Sequence, residues 1–296
     1  AVTGVQTCAL PICGDTFYDY LKSFGVMEKT GVDLPGEASG LFYERKYLNN
    51  PAQYGTSYLI TSSFGQSFRI TPVQLIRSVA AIVNGGYVLE PYIVSEVLDA
   101  DGNTVERNEK MVLRQVISQQ TSETMRDLME RVVTEGTASA AKTPGYRVGG
   151  KTATSEIQPE YDSDGKVLDT EDRYTASFIG VAPMDDPQIA VLVAINDLPE
   201  SATHTGGTIA APVVGRIMED VLPYIGVTAS YDEDESDRRE QTVPNVIGMT
   251  RDAADEALTN SGFEYIIHGE GETVTDQVPS SGIRIPASGR VILYMG

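Results

Sequence analysis

Cysteine is nearly missing from this 296-residue chain: Cys8 and Cys13 lie in the opening stretch, and none follows Gly14. Only His204 and His268 could join them, so a Cys-x4-Cys pair cannot assemble a zinc site, and neither metal nor cofactor is expected. Scarcity of thiols suits a protein working outside the cytoplasm, and it suits many cytoplasmic proteins equally. Basic residues are also few. The 22 Lys and Arg face 42 Asp and Glu, a net charge of −20 that counts against nucleic acid and anionic membrane as partners. Solubility is the simpler reason for that acidity. Apolar runs of roughly 18 or more residues are absent, so no segment is expected to cross a bilayer, and the opening residues lack the pattern of a secretory leader.

What is present has a clear order. Residues 1–13 carry no charge and no period. They read as an artefactual or foreign stretch, similar to translated adapter sequence, and are set aside from the fold. From Asp15 to Phe24, apolar residues recur at helical spacing and Gly25 stops the helix. Glu28 to Gly40 is a turn-rich ordered loop, and Tyr54 to Phe68 shows no stable period. Thr71 caps a helix with Pro72 at its first position; Leu75, Val79, Ile82 and Val83 line one face, and Gly85-Gly86 closes it. Tyr87 to Leu98 and Thr104 to Arg107 read as strands around an Asp101-Gly102-Asn103 turn. Gln119 to Glu135 is the clearest helix, with Met125, Leu128, Met129, Val132 and Val133 on one side.

Three strands follow, Tyr146 to Ile157, Tyr174 to Ala182 and Ile189 to Asp197, with a turn-like excursion from Tyr161 to Asp172. The third is continuously apolar and is expected to be buried on both faces. A closing helix spans about Thr208 to Leu222. Strands in succession with helices around them predict an α+β fold, an antiparallel meander flanked by helices. The charged tract within 228–241 reads as an acidic linker. Residues 242–296 form a small second unit, with a helix around Thr250 to Ser261 and strands near Phe263 to His268, Thr273 to Gln277 and Arg290 to Met295. Its core is thin, which suits binding better than catalysis.

The chain is organised around Val148-Gly149-Gly150-Lys151-Thr152-Ala153-Thr154-Ser155. Lys151 to Ser155 reads as an edge strand whose ammonium and hydroxyls face one cleft, a chemistry suited to a carboxylate and a carbonyl oxygen. Glycines before it leave room for a neighbouring backbone or a ligand. A Lys-Thr-x-Thr run is equally common in ordinary solvated strands, so its surroundings decide its meaning.

Those surroundings carry a resemblance. Gly150-Lys151-Thr152-Ala153-Thr154 resembles the Lys-Thr-Gly motif of penicillin-binding proteins and serine β-lactamases. Gly31-Val32-Asp33-Leu34-Pro35-Gly36-Glu37, Ser63-Phe64-Gly65-Gln66 with Ile70-Thr71-Pro72, Ala176-Ser177-Phe178-Ile179-Gly180-Val181-Ala182-Pro183, and Gly206-Gly207-Thr208 are similar to segments of class B penicillin-binding proteins of the sporulation and division type. Val243-Pro244-Asn245-Val246-Ile247-Gly248-Met249 onward resembles a PASTA domain. The resemblance implies a partial serine β-lactamase/penicillin-binding transpeptidase fold over 14–227 and a PASTA domain over 242–296. It also implies a D,D-transpeptidase that cross-links peptidoglycan stem peptides through a serine acyl-enzyme and is trapped by β-lactams. Lys151 would anchor the substrate carboxylate and assist proton transfer. Thr152 and Thr154 would hydrogen-bond that carboxylate beside Ala153, and the Thr154 N–H would form half of the oxyanion hole. Muropeptides or β-lactams are the implied PASTA ligands, and division or sporulation machinery the implied partner. The implied location is the extracytoplasmic membrane face, reached through an anchor outside this chain.

The sequence departs from the family pattern in two ways. Ala153 stands where the motif has glycine, a methyl that a small shift can absorb. No Ser-x-Asn occurs, and Ser139-Ala-Ala-Lys142 and Ser163-Asp-Gly-Lys166 spell Ser-x-x-Lys outside a helix-opening context. Tyr47-Leu48-Asn49 imitates a Tyr-x-Asn variant in the wrong place. The expectation is therefore a C-terminal portion of a transpeptidase, inactive alone, whose nucleophile lies upstream. A non-catalytic wall-binding protein acting through its PASTA unit is the alternative, and a β-lactamase or β-lactam sensor is disfavoured by the appended small unit. His204 and His268 are assigned structural or solvent roles, and Tyr174 a packing role.

Overall fold

A computed structural model describes residues 14–48, 55–157, 172–230, 240–286 and 289–296. Cys8, Cys13, the stretch 1–13, Asn49, most of the Tyr161 to Asp172 excursion and Ser163-Asp-Gly-Lys166 lie outside the described residues. The chain opens with helices α1 (Gly14–Ser23), α2 (Arg45–Leu48), α3 (Gly55–Ser63) and α4 (Pro72–Val83). Short strands β1 (Tyr87–Glu90), β2 (Glu96–Leu98), β3 (Thr104–Arg107) and β4 (Met111–Gln115) lead to helix α5 (Gln119–Thr134). Strands β5 (Gly149–Ile157), β6 (Arg173–Ala182) and β7 (Ile189–Pro199) then form an antiparallel sheet in that order, closed by helices α6 (Gly206–Ile209) and α7 (Ala211–Tyr224).

Helix α4 begins where the Thr71-Pro72 signal places it. The Thr71 hydroxyl accepts from Gln74 N–H while the Gln74 side chain accepts from Thr71 N–H, so two otherwise unpaired donors satisfy each other. Helix α3 is a departure, since Tyr54 to Phe68 showed no period. Its hydroxyls are accommodated by back-bonding: Thr61 Oγ1 donates to Ser57 O at 2.9 Å and Ser63 Oγ to Ile60 O at 2.6 Å. The Tyr87 to Leu98 segment divides. Pro91 interrupts it, β1 pairs with the unanticipated β4, and only β2 pairs with β3. Leu128 of α5 is 49% exposed, whereas Met129 and Val133 are buried.

The loop between α1 and α2 is ordered by its own polar groups. The Glu37 carboxylate accepts from Thr30 N–H, Thr30 Oγ1 and Gly31 N–H. Asp33 accepts from Ile93 N–H and Val94 N–H at 2.8 Å each, and those bonds hold its carboxyl below its ordinary pKa. Arg77 of α4 is buried beneath this loop, donating to Gly25 O and Thr30 O.

Apolar cores flank the sheet. On one face Phe178 packs with Val133, Ala141, Val148, Val214, Met218 and Leu222, mostly of α5 and α7. On the other, Ile179 and Val181 pack with Val79, Val83, Met129 and Met184. The central strand β6 is the buried one; β7, expected to be buried on both faces, is the other edge of this three-stranded sheet and is mostly half-buried.

The second unit contains β8 (Glu240–Thr242), α8 (Arg251–Asn260), β9 (Glu264–His268), β10 (Val274–Val278), β11 (Arg284–Pro286) and β12 (Arg290–Met295). Glu240 and Gln241, assigned to the linker, lie in β8, which pairs with β11. Strand β12 is central, parallel to β9 and antiparallel to β10. Ala254 and Leu258 of α8 bury against Val291, Leu293 and Phe263, and Ala253 is exposed.

Candidate functional site

Strand β5 is an edge strand: among the described residues it pairs only with β6. The glycines that open it serve close packing within the protein. A Cβ on Gly150 would lie 2.3 Å from Ile179 O and 2.5 Å from the Phe178 ring, and one on Gly149 would lie 2.6 Å from Met184 Sδ. This room is filled by the neighbouring strand and core.

Register then fixes where each side chain goes. Thr152 sits opposite Phe178 and Thr154 opposite Ala176, while Lys151 and Ala153 sit opposite Ile179 and Ser177. Directly opposed residues share a face, so the Thr152 and Thr154 hydroxyls leave the strand on one face and Lys151, with Ser155, on the other. One common cleft for all of them was expected; the two-residue period of a strand divides them. The hydroxyls lie on the α6 side, where Thr152 Oγ1 is 3.1 Å from Thr137 Oγ1 and Thr154 Oγ1 accepts from Gly206 N–H at 3.4 Å. That approach explains Gly206 and Gly207, whose Cβ atoms would each lie 2.1 Å from a backbone carbonyl, of Ser177 and Thr137 respectively. Lys151 is exposed, and its Nζ folds back over the strand edge to donate to Thr152 O at 2.8 Å.

The backbone of β5 is polarised in the same way. In an antiparallel pair a residue's N–H and C=O point in one direction, toward the partner at one position and away at the next. Thr152 O meets Lys151 Nζ and Thr154 O meets Gln66 Nε2, so both carbonyls face the free edge. The N–H groups of Thr152 and Thr154 therefore face it too. Outward amide and carbonyl groups flanked by hydroxyls and an ammonium can bind an extended peptide, its carboxylate and a developing oxyanion.

The remaining candidates fall into structural settings. Ser139 to Ala141 is a single 3-10 turn before β5, and Lys142 is exposed. His204 stacks on Tyr174 with ring centroids 4.1 Å apart and its Nδ1 lies 2.8 Å from Ala202 O. Burial, with Glu200, Asp172 and Glu156 nearby, raises the Tyr174 phenol above its ordinary pKa. His268 stacks on Tyr294. No group of three or more metal-ligating side chains occurs among the described residues, and none of their helices is long and apolar enough to cross a membrane. Sequence reasoning gave Gln66 no role; only its place in a motif singled it out.

Comparison with known proteins bears on the fold and the family. Residues 1–219 match the family described as the penicillin binding protein transpeptidase domain, and residues 241–296 match the PASTA domain. Stage V sporulation protein D of Bacillus subtilis (strain 168) is 37% identical over 287 residues, covering 95% of this chain and 42% of that protein. Peptidoglycan D,D-transpeptidase FtsI of Escherichia coli (strain K12) is 30% identical over 220 residues, covering 74% of this chain and 33% of that protein. The apo structure of the TP domain of Burkholderia pseudomallei penicillin-binding protein 3 superposes with a TM-score of 0.61 at 28% identity, covering 77% of this chain and 63% of that one. The chain thus spans less than half the length of these two curated relatives.

Proposed function

The chain belongs to the penicillin-binding protein transpeptidase family, and we propose that it supplies the substrate-holding wall of a serine D,D-transpeptidase acting on peptidoglycan stem peptides. The observation that carries this reading is the free edge of β5, with the Thr154 N–H and C=O outward between Lys151 on one face and the Thr152 and Thr154 hydroxyls on the other. A stem peptide ending in D-Ala-D-Ala would lie along that edge as an added strand. Its terminal carboxylate would take hydrogen bonds from the two threonine hydroxyls, on the side where Thr137 and Gly206 already hold them.

Alternation divides the chemistry. Lys151, on the opposite face, contributes positive charge to the carboxylate and stands where a serine nucleophile and its proton relay would approach. The Thr154 N–H would receive the oxyanion when that serine attacks the penultimate carbonyl, a donor worth about 2.7–4 kcal/mol in the barrier. The terminal D-Ala leaves with the proton, and an amine of a neighbouring strand then attacks the acyl-enzyme. β-Lactams would occupy the same edge, and the PASTA unit would contact muropeptides. This activity belongs on the extracytoplasmic face of the membrane, in division or sporulation. A protein that binds wall through the PASTA unit alone leaves the family match over 1–219 without a purpose.

Fluorescent penicillin tests the proposal. Extended to the length of its relatives, the protein is expected to be labelled covalently and to lose at least about tenfold in labelling rate on Lys151→Ala, the scale of one charge-assisted contact. Labelling undiminished in Lys151→Ala would remove that residue from the site.

A further inference from the structure

The site described above leaves Gln66 without a role, although it reaches the edge of β5 from far away in sequence. Its Nε2 donates to Thr154 O at 3.4 Å across 88 positions. We propose that Gln66 is a positioning residue, holding the peptide groups on either side of Thr154 in the orientation an extended ligand must meet. This rests on the reading of β5 as the substrate edge.

The turn that carries Gln66 is built to aim it. Gly65 has φ 92° and Ser67 has φ 66°, so a non-glycine residue is held in the left-handed region immediately after Gln66. Strained backbone of this kind persists where its surroundings over-determine it. Here Gln66 N–H donates to Thr61 O at 2.9 Å, Ser67 Oγ donates to Thr61 Oγ1 at 2.8 Å, and Thr61 is itself anchored to Ser57 O in α3. On the far side Arg69 pairs with Leu41 through two backbone bonds. The half-buried Gln66 side chain leaves this tied turn and meets a carbonyl on the open side of an edge strand.

An edge strand has partners on one side only, so its outer peptide groups are the least constrained in the sheet. Lys151 Nζ restrains Thr152 O from within the strand, and Gln66 restrains Thr154 O from outside it. The φ and ψ of Thr154 link its carbonyl to its own N–H, so fixing one narrows the direction of the other. A carbonyl oxygen has two lone pairs, so the Gln66 contact leaves one for a ligand N–H. Gln66 would thus support the added strand without displacing it.

The test uses this chain with two variants, Gln66→Ala and the isosteric Gln66→Glu, whose ionised carboxylate cannot donate. Three quantities are read by NMR: the Thr154 carbonyl ¹³C shift, the exchange rate of the Ser155 amide that pairs toward β6, and affinity for acetylated Lys-D-Ala-D-Ala peptide. Both variants are expected to shift the carbonyl upfield, to speed Ser155 exchange and to weaken the peptide, the last two by about fivefold, the effect of one neutral hydrogen bond. The Gly149 amide, at the other end of β5, should keep its rate. An unchanged Thr154 carbonyl in both variants overturns the contact. Peptide affinity that is unaltered, or that rises in Gln66→Ala, overturns positioning; the rise would make Gln66 a competitor for that carbonyl. Should no form bind the peptide, the substrate reading of β5 fails by itself, and the carbonyl shift and Ser155 exchange alone decide whether Gln66 holds the edge.

Discussion

Strands β5 and β6 lie side by side through nine register pairs, from Gly149–Val181 to Ile157–Arg173, yet they serve opposite ends. From Phe178 to Ala182, β6 is buried between two apolar cores. From Lys151 onward β5 is exposed or half-buried, and it carries the lysine and hydroxyls of the candidate site. The difference is one of sheet position. A central strand has its backbone groups paired on both sides and its faces covered, so burial favours apolar side chains. An edge strand keeps alternate peptide groups for something else to bind. Buried apolar packing is concentrated in β6 and the proposed chemistry in β5, and the ladder between them ties the edge strand to the core.

The strongest way to break this comparison is Phe178→Ala. Phe178 is fully buried at the junction of β6 with α7. Its loss should destabilise the larger unit by about 3–5 kcal/mol, from the transfer free energy and the cavity together. Urea unfolding followed by tyrosine fluorescence measures it, and a loss below about 1 kcal/mol would deny β6 its anchoring role. Ala153→Gly probes the edge more gently. The Ala153 methyl is exposed, so removing it relieves no crowding and adds backbone entropy to the unfolded chain. The expected loss is about 0.5–1 kcal/mol, and a gain would show that the methyl is strained where the family motif has glycine. Smallest of all is Lys151→Ala in stability. Among the described residues its exposed ammonium donates to a neighbouring carbonyl, so the unfolding free energy should change by no more than about 0.5 kcal/mol. A large loss there would place Lys151 on the structural side of the division.

Much of this was legible in the residues. The Thr71 cap with Pro72 behind it, the α5 period, the three-strand meander and the Lys151–Thr154 strand are local patterns, and local patterns survive in a sequence. Other features were not legible, for identifiable reasons. Helix α3 has no apolar period, because its Ser and Thr side chains satisfy themselves on its own carbonyls. Strand β4 pairs with β1 across the intervening β2–β3 hairpin, which no local signal announces. Leu128 fits the helical stripe but is left about half exposed. The apolar composition of β7 suggested burial on both faces, whereas sheet order puts β6 at the centre and leaves β7 mostly half-buried.

The sequence by itself determined the helix that starts at Pro72, the α5 helix, the strands of the meander and the residue types that stand at the edge of β5, since capping, periodicity and motif spacing act over a few positions. Only the tertiary structure decided how those residues are shared out. The pairing of β5 with β6 sends the Lys151 ammonium and the Thr152 and Thr154 hydroxyls to opposite faces, and the fold brings Gln66 to Thr154 across 88 positions. The physical reason is that side-chain direction in a strand depends on register, and register is set by long-range pairing that no stretch of the chain contains alone.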